Sequence, residues 1–147
     1  GASASMVVYY KPALLEVGLF DEDFFAYEED VDLALRFREA GWKTVYVPRA
    51  ISYHLGGGTS RKMGNFRQRM DAKNWWFILA KNYPLTVLIT HFPEIFVERL
   101  RNLSGLIKAT LLWKIPWDII RTYGEVMLKL PKMIKKRKAV DLLTIIY

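Results

Sequence analysis

Three consecutive acids, Glu28, Glu29 and Asp30, are the residues of this sequence whose type and spacing best suit chemistry. Carboxylates in the first turn of a helix are stabilised by the positive end of the helix dipole, so a solvated helix start would explain Glu28. Asp30 differs, because helical spacing places it on the apolar face with Leu33. The same spacing places Asp32 on the opposite, polar face.

Asp30 is therefore predicted to point inward, toward a cleft or the core. Burying a carboxylate costs free energy unless it is paired, bound to metal or used in chemistry, which makes Asp30 a candidate functional residue. A purely structural role stays open on these grounds. Asp32 is predicted to pair with Arg36, four residues on, at the solvated surface of the helix.

Strands and helices alternate in the part of the chain that positions these acids. β-branched and aromatic runs favour strands, while Pro12 suits a helix start and Gly18 and Gly41 suit helix ends. The predicted elements are strand 5–10, helix 11–17, loop 19–27, helix 28–40, strand 42–47 and strand 50–54.

The stretch 18–48, GLFDEDFFAYEEDVDLALRFREAGWKTVYVP, followed by YHLGGG, carries a family resemblance. It resembles the acceptor-side half of inverting family 2 glycosyltransferases of the GT-A fold, close to rhamnosyl and galactofuranosyl transferases. The resemblance implies an α/β fold class. Residues 1–60 would be the C-terminal, acceptor-side portion of a GT-A catalytic domain, and residues 61–147 a basic amphipathic α-helical tail.

The same resemblance implies roles for individual residues. Asp30 would be the catalytic base and Glu29 its partner, and the aromatic residues Phe24, Phe25 and Tyr27 would contact the acceptor. The family's nucleotide-binding half, with its Asp-x-Asp metal motif, has no counterpart in this sequence. The chain by itself is therefore expected to be inactive.

A divalent cation, Mn or Mg, is implied with His54 as one ligand. A single His at a strand end is more often a structural hydrogen-bonding residue, so this role depends on the resemblance. Gly56, Gly57 and Gly58 would form a loop over the site, or equally a plain hinge. Asp21, Glu22 and Asp23 have the Asp-x-Asp form, but no apolar strand precedes them and they match the family's acceptor loop, so we assign them no metal.

Charge is distributed unevenly along the chain. Residues 1–60 hold 5 Lys and Arg against 9 Asp and Glu, whereas residues 61–147 hold 17 against 6. The chain has 52% hydrophobic residues and no cysteine, which indicates a globular protein without disulfides or thiolate sites. Nucleic-acid-binding motifs are absent, so the basic part is predicted to meet another anionic partner. The first residues have no signal-peptide pattern.

Prolines divide the basic part into predicted helices. These are 62–82, 85–91, 94–114, 117–130 and 132–145. The longest uncharged run has 12 residues, short of the roughly 20 needed to span a bilayer. Tryptophans among basic residues suit an anionic membrane surface, reached peripherally from the cytoplasm. The residues predicted to make this contact are Trp113, Trp117, Lys135, Lys136, Arg137 and Lys138. Aromatic packing in a helical core or a homo-oligomer contact is the alternative.

The predicted function is transfer of a sugar from a nucleotide-sugar donor to a hydroxyl of a lipid-linked or polysaccharide acceptor, with inversion, in cell-envelope glycan synthesis. A non-catalytic membrane-docking or assembly module is the alternative. The basic tail favours the second, and the motif around Asp30 favours the first.

Overall fold

The computed structural model describes residues 4–54, 62–113 and 117–137 of the chain. Within these residues the regular structure consists of helices: α1 Lys11–Val17, α2 Glu29–Glu39, α3 Phe66–Asn82, α4 Leu85–Thr90, α5 Phe92–Trp113 and α6 Trp117–Lys135.

Helices α1 and α2 begin and end close to their predicted limits. Pro12 lies in the first turn of α1, where its missing N–H is not needed, and Gly18 follows the last turn with a positive φ of 85°. In α2 the acids occupy the first turn and Arg36 and Arg38 the last, so both ends complement the helix dipole. Gly41, just after α2, has a φ of 79°.

Helix α3 is the centre of the packing and contacts α2, α5 and α6. Phe77 and Ile78 of α3 are fully buried and form the core with Phe24, from the loop before α2, and Met133, from the last turns of α6. The rings of Phe24 and Phe77 meet edge to face with centroids 5.8 Å apart. The core contains residues from both sides of the domain boundary that was predicted near residue 60. This boundary stays a prediction, because residues 55–61 lie outside the described part of the chain.

Of the prolines predicted to separate helices, Pro131 does not, whereas the chain does break at His91, close to Pro93, between α4 and α5. Pro93 lies in the first turn of α5, a position that needs no backbone N–H. Pro131 lies inside α6, where a proline removes a helical hydrogen bond. Tertiary contacts hold the following turn in place, because Met133 is buried and Lys136 pairs with two aspartates of the loop before α2.

The predicted α/β class is not confirmed, since residues 5–10, 42–47 and 50–54 form no strand in the described part of the chain. Val8 and Tyr53 are both 97% exposed. A strand is stabilised by hydrogen bonds to a neighbouring strand, and none of the described residues forms such a ladder with these segments. The residues favour extended backbone, but a sheet also needs a partner.

Candidate active site

The chain enters α2 through a loop with an uncommon backbone. Phe25, Tyr27 and Glu28 have φ angles of 64°, 64° and 65°, which side chains with a Cβ rarely adopt. The rings of Phe25 and Tyr27 each lie 6.2 Å from that of Phe66, at the start of α3. Such a conformation persists only where its surroundings hold it, so contacts must fix this loop.

Asn74 of α3 makes several of those contacts. Its side chain is fully buried, and its Nδ2 donates hydrogen bonds to the carbonyl oxygens of Phe24, Ala26 and Tyr27 at 3.0, 2.8 and 2.7 Å. A buried carbonyl oxygen without a partner costs free energy, and among these three the Phe24 carbonyl also accepts a hydrogen bond from the Ala26 N–H at 2.8 Å. One side chain on α3 therefore binds the loop at three points.

Asp30 is half-buried in the first turn of α2. Its Oδ2 accepts a hydrogen bond from the backbone N–H of Ala4 at 3.0 Å, and its Oδ1 accepts one from that of Val31 at 2.9 Å. Asp30 takes part in none of the ion pairs found among the described residues. The neighbouring Glu29 is half-buried as well, and its Oε2 has no hydrogen-bond partner within that part of the chain. Both carboxylates can accept further hydrogen bonds.

Tyr9 lies beside these two acids. Its ring stacks on that of Phe37 with centroids 5.8 Å apart. Burial raises the pKa of the Tyr9 phenol above its ordinary value, and the charges of Asp30 and Glu29 raise it further. Tyr9 therefore stacks on Phe37 and lies within the electrostatic influence of Asp30, two residues that helical spacing places on the same face of α2.

Asp32 lies on the face that was predicted to be solvated, and that prediction is wrong. Its side chain is 0% exposed. Arg36 pairs with it at 2.8 Å as expected, but Lys81 of α3 also pairs with it at 2.8 Å, and Asn82 Nδ2 donates to it at 3.0 Å. The reason is that α3 covers the polar face of α2 with complementary polar groups. Helical periodicity identifies a polar face but cannot tell whether water or protein covers it.

Glu28, which precedes the first residue of α2, has a carboxyl group that favours its protonated form. Burial, a hydrogen bond with Asp71 and the charges of Asp71, Asp30 and Glu29 raise the pKa of Glu28 to about 7. Asp71 in turn accepts a hydrogen bond from Asn102 Nδ2 at 3.0 Å. Because its pKa is raised, Glu28 is partly protonated near neutral pH, which reduces the repulsion between the acids at the start of α2.

The acids of the Asp-x-Asp sequence bind lysines. Lys136 Nζ lies 2.6 Å from Asp21 Oδ1 and 2.7 Å from Asp23 Oδ2, Lys132 lies 2.6 Å from Asp23, and Lys81 lies 2.8 Å from Asp21. Burial alone would raise the pKa of Asp21, but Lys136 and Lys81 outweigh it and hold that pKa well below its ordinary value. These pairs tie the loop before α2 to α3 and α6.

The predicted acceptor contacts have different surroundings. Phe24 is fully buried in the core, and this position corrects its prediction as an acceptor contact, because a core side chain cannot reach a substrate. Phe25 is 77% exposed and Tyr27 is half-buried, so both can contact a bound molecule. Their role stays a prediction.

The described residues do not make a metal centre. His54 is exposed, and residues 4–54, 62–113 and 117–137 contain no group of three or more His, Cys, Asp or Glu side chains that could hold a metal ion. Gly56, Gly57 and Gly58 lie outside the described residues. One imidazole is not a donor set for Mn or Mg, which prefer several oxygen ligands.

The basic residues predicted for membrane contact do not form one exposed cluster. Lys135 is exposed, whereas Lys136 pairs with Asp21 and Asp23, and Arg137 donates a hydrogen bond to the carbonyl oxygen of Tyr83. Trp117 is 74% exposed. Lys138 and the side chain of Trp113 lie outside the description.

The buried polar face of α3 was not predicted from the sequence. Lys73, Asn74, Lys81 and Asn82 are all buried, and Lys73 pairs with Glu125 of α6 at 3.0 Å. A signal was present, because polar residues separated by seven and eight positions share one face of this helix. Such a face indicates polar groups that need internal partners.

Comparison with known proteins agrees with the motif around Asp30. The sequence profile of the family described as "Glycosyl transferase family group 2" matches residues 3–124. Two relatives, both named N-acetylglucosaminyl-diphospho-decaprenol L-rhamnosyltransferase, come from Mycobacterium tuberculosis strains CDC 1551 / Oshkosh and ATCC 25618 / H37Rv. Each is 45% identical to this chain over 60 residues, a stretch that covers 40% of the chain and 20% of the relative.

The chain thus matches about a fifth of the length of these relatives. No solved structure matches it significantly. The family profile, by contrast, extends over most of the sequence, from the first residues to the middle of α6. The chain belongs to glycosyl transferase family group 2.

Proposed function

We propose that this chain is the acceptor-side part of a transferase that moves a sugar from a nucleotide-sugar donor to a hydroxyl of a lipid-linked or polysaccharide acceptor, with inversion, in cell-envelope glycan synthesis. Family membership supports glycosyl transfer and a GT-A catalytic domain. The identity to two rhamnosyltransferases whose names include a diphospho-decaprenol supports rhamnosyl or another hexosyl transfer and a lipid-linked acceptor.

The observation that carries the proposal is the difference between Asp30 and Asp32. Asp32 is fully buried and neutralised by Arg36 and Lys81. Asp30 is only half-buried, is held by backbone N–H groups and pairs with none of the cations in the described part of the chain. A general base must reach its substrate and must not be neutralised by a fixed cation, and Asp30 meets both conditions.

In the proposed reaction, Asp30 accepts the proton of the acceptor hydroxyl as that oxygen bonds to the anomeric carbon of the donor sugar. The bond from this carbon to the nucleotide diphosphate breaks at the same time, which inverts the configuration. Glu29, which is half-buried beside Asp30, would accept a hydrogen bond from a sugar hydroxyl and orient it. Phe25 and Tyr27 would contact the acceptor.

The cation remains a proposal that rests on the family resemblance. His54 would be one ligand, and the described residues supply no set of oxygen ligands to accompany it. No step of the proposed reaction is derived through the metal.

The chain by itself should not bind a nucleotide sugar. The described residues contain an acceptor-side motif but no cluster that could hold a metal-bound diphosphate, and the chain matches only 20% of each relative. Isothermal titration calorimetry with UDP- and dTDP-sugars in the presence of Mn should show no heat of binding. Micromolar binding would contradict this account, because the donor site would then lie within the chain.

A second function, docking on the cytoplasmic face of an anionic membrane, is favoured by exposed apolar residues on α5 and α6. Those of α5 recur mostly at helical spacing and are Phe92, Phe96, Val97, Leu100, Ile107 and Leu111. Those of α6 are Trp117, Ile120, Met127, Leu128 and Ile134. Among the described residues, none of the helices has both the length and the apolar character that crossing a bilayer requires. The same faces could also join two copies of the chain.

A chain that docks peripherally should float with vesicles that contain phosphatidylglycerol but not with vesicles of pure phosphatidylcholine. Rising salt concentration should weaken this binding, because charge supplies the long-range attraction. Trp117→Ala should reduce the bound fraction several-fold. Tyr53→Ala, which removes an even more exposed aromatic outside the basic helices, is the control and should bind normally. Equal flotation with both vesicle types, or resistance to alkaline carbonate, would contradict peripheral docking.

A further inference from the structure

We propose that Asn74 is a positioning residue for the reaction: its amide group holds the loop 24–28 in the conformation that places Glu29 and Asp30 for catalysis. The inference rests on the proposed function of Asp30. It concerns a residue of α3, outside the acidic motif, that touches neither reacting group.

Within the described part of the chain, the Asn74 side chain acts only as a hydrogen-bond donor. Its Nδ2 lies 2.7–3.0 Å from the carbonyl oxygens of Phe24, Ala26 and Tyr27, so its two N–H groups serve three acceptors. Its Oδ1 is buried and has no hydrogen-bond partner among the described residues. Carbonyl oxygens only accept hydrogen bonds, so this arrangement needs the NH2 group and would be lost with any side chain that cannot donate.

The loop needs an external constraint because its own backbone is unfavourable. Three of the four residues from Phe25 to Glu28 have φ angles of 64° or 65°, and each of them is disfavoured for a residue with a Cβ. The local hydrogen bonds are few, for example from Ala26 N to the Phe24 carbonyl at 2.8 Å. If the Asn74 contacts are removed, rotation about φ and ψ at Tyr27 and Glu28 becomes possible.

Rotation about these backbone bonds would change the positions of Glu29 and Asp30. Glu28 immediately precedes Glu29, the first residue of α2. The rest of α2 would stay in place, because Asp32 is bound to Lys81 and Asn82 of α3. Asn82 and Asn74 are eight residues apart, about 12 Å along the axis of α3. One end of α3 thus anchors the body of α2, and Asn74 sets the direction from which the chain enters it.

The test is Asn74→Asp in the complete transferase, since it keeps the size and shape of the side chain but replaces the donor by an acceptor. We expect kcat to fall by roughly 10-fold to 100-fold with donor KM nearly unchanged, as a displaced base does not affect donor binding. Hydrogen exchange measured by mass spectrometry should become about 10-fold faster in peptides that cover residues 24–30, and should stay unchanged in α5 and α6.

Asn65→Asp is the matched control. Asn65 is also buried and precedes α3, but its Nδ2 bonds to Thr110 at 3.3 Å and not to the loop. It should lower stability without a loss of kcat in the folded protein. If Asn74→Asp does not fold, Asn74→Ala removes the donor without adding a charge and is expected to give the same two changes.

Either of two results would overturn the proposal: exchange in residues 24–30 that stays as slow as in the wild type, or a loosened loop with normal kcat while Asp30→Asn is inactive. If Asp30→Asn itself kept normal kcat, the proposed function would be wrong. The exchange measurement would then still decide whether Asn74 holds the loop.

Discussion

Asp30→Asn, made in the complete transferase, should lower kcat by on the order of 10²-fold or more while donor KM stays nearly constant. Asn preserves the size of the side chain and one oxygen that accepts a backbone hydrogen bond, as Asp30 accepts from Ala4 and Val31. It cannot take the proton of the acceptor hydroxyl. Steady-state kinetics with donor and acceptor varied separately would measure both constants.

Glu94→Gln is a suitable control for this change. Glu94 lies in the first turn of α5, away from the acidic motif, and is exposed, so the loss of its charge should leave kcat within about two-fold of the wild type. Asp30→Asn with a kcat close to that of this control would show that another group is the base. Asp32→Asn cannot be the control, because its effect on the fold is expected to be large.

Asp32→Asn should lower the free energy of unfolding by about 3 kcal/mol. Asp32 is 0% exposed and is the partner of Arg36 and Lys81, so loss of its charge leaves two cations with less compensation inside the protein. Lys81 keeps Asp21 at 2.8 Å, which limits the loss. Equilibrium urea denaturation of the wild type and the variant would measure it.

Glu98→Gln provides the comparison for the second prediction. Glu98 pairs with Arg101 on one helix, as Asp32 pairs with Arg36, but the side chains of this pair are 53% and 71% exposed. An exposed pair contributes little, so the change in free energy of unfolding should be below about 0.5 kcal/mol. If Asp32→Asn and Glu98→Gln lowered the free energy of unfolding by the same small amount, the burial of Asp32 would not add to the stability of the fold.

Much of the helical structure could be predicted from local rules. The limits of α1 and α2 follow from Pro12, Gly18 and the acids in the first turn of α2. Each of these residues affects the backbone only within a few positions along the chain. The predicted break between residues 130 and 132 was wrong, because Pro131 was treated as a stop and α6 continues through it to Lys135. Its helix is held by contacts of Met133 with the core and of Lys136 with Asp21, residues more than 50 positions away in the chain, which no local rule contains.

The motif around Asp30 determined the family and the candidate base, because both depend on residue types and on spacing along one helix. Spacing also placed Asp32 on a polar face. Only the tertiary structure decided that α3 covers this face, that Lys81 and Asn82 neutralise and bind Asp32, and that Asn74 binds the loop before α2. These contacts join residues about 50 positions apart. A helical pattern gives the direction of each side chain from its own axis, but the partner that it meets depends on how the helices pack.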